Sequence, residues 1–233
     1  MGRRIWAIFR KEAQDIVTNF NVSFIYLVAV GIVLLFQRTI GAVGDPFITG
    51  FGILFLLAMG GIYVPSMLIA EEREKRTLEV LMLSPATPLE IFIGKGLLTL
   101  VSMALTALVI YLLQGVALSE IPVLLFLFLL GVCACIPLGM VVGMLAPNIL
   151  STGLVGMPLY MAFTFLPMFA ERGTVAQRLS QLVPTTHVYE MTLMVTAGGE
   201  PSIGKAAAAL LVIFLVACGL LAFAYRRRAA ALT

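Results

Sequence analysis

Glu71-Glu72-Arg73-Glu74-Lys75-Arg76-Thr77-Leu78-Glu79 forms a dense island of charge between two long apolar stretches. Six consecutive charged residues stand here in a chain that is only 12% charged. A central Asp, Lys or Arg in a membrane helix costs about 2.5 to 3.5 kcal/mol on insertion scales. The island therefore belongs in water, held against the mouth of a membrane domain.

The rest of the chain supports that reading. It has 233 residues and is 61% hydrophobic, with a mean hydropathy of +1.08. A soluble domain is about 45–50% apolar. The excess comes in runs, and a crossing helix needs about 20 mostly apolar residues. The expectation is an all-α integral membrane protein with one transmembrane domain spanning residues 1–233. The net charge of +3 reflects loop topology and does not suggest nucleic-acid binding. Cys133, Cys135 and Cys218 all fall in apolar runs and read as buried small residues, not as a disulfide framework. No cleavable leader is expected, because the first apolar run starts only near Val22, after a charged helical segment.

Six crossings are expected, over 22–40, 47–70, 96–118, 121–145, 149–169 and 206–225. The first is short. Ala146, Pro147 and Asn148 form a tight turn between the fourth and fifth. Six crossings put both termini on one side. Arg3, Arg4, Arg10, Lys11, Arg73, Lys75, Arg76, Lys95 and Arg226 to Arg228 then share that side. Only Arg38, Arg172, Arg178 and Lys205 lie opposite. The positive-inside rule places both termini and the island in the cytoplasm of a multi-pass cell (inner) membrane protein.

The segment 1–21 reads as an amphipathic interface helix. Ile5, Phe9, Ala13, Ile16 and Phe20 recur at helical spacing beside Trp6, with Arg3, Arg10 and Lys11 on the other face. The alternative is an ordinary helix packed on another subunit. The external loop 170–205 is semi-apolar and interrupted by Pro184. It suits a broken helical hairpin dipping into the outer leaflet before the last span; a flat external cap is the other reading.

Some chemistry is missing. Apart from Arg38 near the end of the first, no ionisable residue falls within the six spans as drawn, which disfavours an ion-coupled carrier. No phosphate-cradling Gly-x-x-x-x-Gly-Lys-Ser/Thr loop is present, so the chain is not expected to hydrolyse ATP itself. His187 is the only histidine. With Glu190 three residues on it could form a metal pair, but an isolated surface histidine is the expectation, and no metal site is assigned.

The island itself reads as a helix continuing past Ala70, with Glu72 and Arg76 at i, i+4. Leu78, Leu81 and Met82 form a short apolar stripe, and Ser84-Pro85 breaks the chain. A charged-then-apolar helix that projects and turns back can insert into a groove on a soluble partner. The alternative is a solvated link between two spans.

Glu72-x-Glu74-x-x-Thr77-Leu78-Glu79-x-Leu81-x-x-Ser84-Pro85 resembles the signature of permease subunits of type-2 ATP-binding-cassette (ABC) transporters. The amphipathic start, six spans, broken outer segment and basic tail extend the resemblance over the whole chain. It implies that 71–90 is a cytoplasmic coupling helix region, with Glu71, Glu72, Arg73, Glu74, Arg76, Thr77, Leu78, Glu79, Leu81, Ser84 and Pro85 as ATPase-coupling residues. Arg3, Arg4, Trp6, Arg10 and Lys11 would belong to the interface helix, and Pro184, Tyr189 and Glu190 to the outer segment. It also implies a second copy of the chain, or a homologous permease, and a separate ATPase subunit that binds ATP and Mg. No cofactor falls on this chain. The expected activity is export of a small hydrophobic or amphiphilic substrate out of the cytoplasm or inner leaflet. The alternative is a mechanical coupler that passes ATPase motion to an extracytoplasmic protein.

Overall fold

A computed structural model describes residues 6, 9–10, 20–75, 88–170 and 173–229. Every regular element among them is a helix. We label them α1 (Phe20–Thr39), α2 (Pro46–Glu74), α3 (Pro88–Leu113), α4 (Ile121–Leu145), α5 (Ile149–Phe169), α6 (Thr174–Ser180), α7 (Pro184–Thr196) and α8 (Ile203–Ala229).

Local chemistry sets the helix ends. Asp45 caps α2 by accepting from the Phe47 and Ile48 amides at 2.8 and 3.4 Å, and Pro46 supplies a preset φ in the first turn. Asn148 caps α5 through the Ser151 amide at 2.8 Å. Gly115 takes a positive φ of 68° in the turn after α3. There Gln114 Oε1 accepts from the Gly44 amide at 3.0 Å, tying two loops together at one end of the bundle.

Five helices, α2, α3, α4, α5 and α8, are long and apolar enough to cross a membrane. The apolar part of α1, Ser23–Thr39, is shorter. α2 is the axis: 83% of its most apolar stretch is buried, against 17% for α8. Its 29 residues reach about 44 Å at 1.5 Å per residue. That exceeds a hydrocarbon layer of about 30 Å, so α2 carries its charged end beyond the layer.

A π-helical segment, Met59–Tyr63, interrupts α2. Pro65 lacks the N–H that would bond the carbonyl four residues back, at Gly61, and a π turn is one way a helix absorbs such a defect. Along this segment and just beyond it, α4 comes close. A Cβ on Gly139 would overlap the Ile62 carbonyl, and one on Gly143 would overlap the Ser66 carbonyl. A Cβ on Gly61 would sit 2.9 Å from Cys135 Cβ. The Gly139/Gly143 spacing thus lets two backbones meet, as expected for small-residue packing in membranes.

The third helix differs from its expected span. It runs from Pro88 to Leu113, not over 96–118, so Glu90 and Lys95 are helical and buried. In the segment before α8, α7 lies among α2, α4, α5 and α8. Val188 closes on Gly131, Tyr189 on Gly50, and Thr185 donates to the Phe163 carbonyl at 2.6 Å. All three contacts lie inside the ends of the long helices.

Candidate functional site

Successive helical residues point about 100° apart, so the four charges that close α2 reach three different surroundings. Glu71 pairs with Lys75 one turn on, at 2.6 Å, on the exposed side. Glu72 turns inward. Its carboxylate lies 3.1 Å from Lys95 Nζ on α3, and both side chains are almost wholly buried. Glu90, on the same helix, is 3% exposed.

Arg73 and Glu74 grip the turn between α4 and α5. Arg73 Nη1 donates to the carbonyls of Met144, Leu145 and Ala146 at 3.3, 3.1 and 2.5 Å. These groups include the orphan acceptors at the C-terminus of α4. Glu74 Oε2 accepts from the Ile149 amide at 3.1 Å, the first residue of α5. A cation thus meets the negative end of one helix dipole, and an anion meets the positive end of the next. One end of α2 is therefore fixed to α3 by an ion pair and to the α4–α5 turn by two charge-assisted caps. A displacement of that end would be passed to three other helices.

From the sequence, Lys95 counts only among the cytoplasmic cations, just before the third apolar run, and not among the coupling residues. Gly94 and Gly96 stand on either side of it, and a Cβ on Gly96 would meet Ile136 and Met140 of α4. Glu72, Glu90 and Lys95 all lie just outside the spans as drawn, in the flanking turns of α2 and α3. Burying such a pair costs desolvation that only good geometry offsets.

The other expected residues are not brought together here. Pro184, Tyr189 and Glu190 belong to α7, whose contacts lie toward the start of α4 and not at the island. Pro184 takes the first turn of α7, Tyr189 is buried and Glu190 is exposed. Trp6 is exposed and stacks on Phe9 with ring centroids 5.3 Å apart, and Arg10 is exposed. Arg3, Arg4, Lys11, Arg76, Thr77, Leu78, Glu79, Leu81, Ser84 and Pro85 lie outside the described residues, as does the expected Glu72–Arg76 spacing pair. His187 Nε2 bonds the Gln181 carbonyl at 2.9 Å and so closes the α6–α7 turn.

A second feature sits midway along α2. Phe24 and Val28 of α1, Phe55, Met59 and Tyr63 of α2, and Tyr160 of α5 line an apolar cavity of about 210 Å³. The rings of Tyr63 and Tyr160 meet edge to face at 5.6 Å. Tyr160 Oη bonds Ser66 Oγ at 3.0 Å and donates to the Thr152 carbonyl at 3.3 Å. Tyr160 is also a residue of the buried core, as are Tyr111 and Phe163.

Comparison with known families gives a match over residues 8–224 to a family described as ABC-2 family transporter protein. No curated protein matches the chain.

Proposed function

The chain belongs to the ABC-2 family of transporter proteins, and from that membership we propose that it is the membrane-spanning subunit of an ABC exporter. Two copies pair, each with a separate ATPase that binds ATP and Mg. The island and the stretch after it, residues 71–90, form the coupling element that takes up the ATPase stroke. α1 is the sixth crossing: its 20 residues give about 30 Å of helix, the thickness of the hydrocarbon layer. Both termini and the island face the cytoplasm of the inner membrane, and α7 re-enters from the outer side.

The observation that best supports this reading is the locked inner end of α2. A soluble motor acts on the chain only where the chain leaves the membrane. A passive link would need no buried Glu72–Lys95 pair and no double cap on the α4–α5 turn. With them, a push on the segment beyond Lys75 moves α2, α3 and the α4–α5 turn together. The cargo would be a small hydrophobic or amphiphilic molecule, and the cavity between Tyr63 and Tyr160 is where α1, α2 and α5 offer it an aromatic wall.

The test is reconstitution with the ATPase subunit in vesicles. Leu78→Asp and Leu81→Asp, placed in the apolar stripe, should abolish stimulation of ATP hydrolysis by the membrane subunit while leaving insertion and yield unchanged. Full stimulation in that double variant would remove 71–90 as the coupling element. Substrate efflux without any ATPase would remove the exporter reading.

A further inference from the structure

The face of α4 turned away from α2 forms the floor of an open groove between α3 and α8, of about 650 Å³. Cys133, Ile136, Pro137 and Met140 recur there at i, i+3, i+4 and i+7, one continuous face. Along α8 the groove runs from Phe214 to Arg226, about 18 Å at 1.5 Å per residue. That is close to one leaflet's half of a hydrocarbon core of about 30 Å.

The groove is apolar along its length and has one charged side chain, Arg226, at one end. Arg227 follows and is exposed. At the same end Phe92 and Tyr225 meet edge to face at 5.7 Å and close the space between α3 and α8. This is the end of the bundle that also holds Glu72 and Lys95, because Phe92 precedes Lys95 by one helical turn on α3. An apolar channel one leaflet deep, ending in a guanidinium, matches one chemical outline: an acyl chain capped by a phosphate. Arginine presents a planar fork of donors suited to phosphate oxygens. Basic residues at this depth also attract anionic lipid.

We propose that the α3–α4–α8 groove is a binding site for a resident anionic phospholipid, with one acyl chain against α4 and the headgroup phosphate on Arg226. The site stands apart from the Tyr63–Tyr160 cavity. It depends neither on the cargo nor on the ATPase.

The experiment uses the full chain in mild detergent, mixed with phosphatidylglycerol or phosphatidylcholine of identical acyl chains and read by native mass spectrometry. Phosphatidylglycerol should be retained about fivefold better, the order expected for one basic contact near the surface. Arg226→Gln should abolish that preference, whereas Arg227→Gln should keep most of it. Ala222→Trp fills the groove and should lower retention of both lipids. As a readout that needs no substitution, phosphatidylglycerol should slow alkylation of Cys218, which lines the groove, more than phosphatidylcholine does. Equal retention of the two lipids, a preference that survives Arg226→Gln, or equal protection of Cys218 would overturn the proposal. So would Ala222→Trp changing the oligomeric state and leaving lipid retention intact, since the occupant would then be a second copy of the chain.

Discussion

The two faces of α4 are built in opposite ways. Toward α2, Gly139 and Gly143 bring no Cβ and rest against the Ile62 and Ser66 carbonyls, while Cys135 meets Gly61. Toward α3 and α8, the same helix presents Ile136, Pro137 and Met140 to an open groove. Lipid tails are as apolar as leucine, so burying apolar area does not by itself draw two membrane helices together; close packing and polar contacts must do it. The α2 face meets that demand. On the groove face Ile136, Pro137 and Met140 are buried at the floor, and the space above them between α3 and α8 stays open. α3 takes part in both arrangements, because Lys95 reaches α2 while Gly96, its neighbour, lines the groove. Substitutions on the first face should therefore cost stability, and those on the second should change what binds.

The largest effect is expected where α3 is tied to α2. Lys95→Met leaves Glu72 buried opposite an apolar group, and breaking one partner of such a pair costs about 3–5 kcal/mol. The double variant Lys95→Met/Glu72→Met removes both charges and should recover most of that loss. Thermal unfolding in detergent measures both. If the single variant is as stable as the parent, the pair is not what holds α3 to the axis.

Gly139→Ala comes next. Its methyl would collide with backbone at Ile62, which cannot swing aside as a side chain can, and overpacking of this kind costs about 1–3 kcal/mol. Gly153→Ala is the matched control, because nothing lies within 4 Å of a Cβ there. Equal melting curves for the two would mean that the seam is looser than its geometry. Tyr160→Phe should cost less, about 1 kcal/mol, since it removes one hydroxyl that joins Ser66 to the Thr152 carbonyl.

The seam was more legible in the sequence than the lock beside it. Gly139 and Gly143, four apart in an apolar run, announce close approach, and the long apolar runs announce the helices. The island announces water, because six charges in a row have no other place. What one sequence does not give is azimuth. Glu71, Glu72, Arg73 and Glu74 look alike as a run, yet one turns to α3, two to the α4–α5 turn and one to its own helix. That depends on which neighbour lies at which angle, which is tertiary information. Lys95 was hidden for a related reason. Apolar runs mark the part of a helix that faces lipid or core, and a helix that starts a turn or more earlier, at Pro88, carries its first charges outside that mark. The π segment had a faint local signal in Gly60-Gly61 followed by Pro65, but such a pattern does not by itself select a π turn.

The smallest stability effect, and the sharpest test of the contrast, is Ala222→Leu. Ala222 lines the groove from α8 and is exposed. The substitution adds three carbons, against one in Gly139→Ala. If packing alone set the cost, the larger change would do more damage. Because the added atoms enter open space and not a backbone, the melting temperature should stay within the shift that about 0.5 kcal/mol produces. Retention of phosphatidylglycerol should nonetheless fall, since those carbons occupy volume that an acyl chain would fill. A variant that loses stability but keeps its lipid would show that the groove face is a packed surface like the seam, and the distinction between the two faces of α4 would fail.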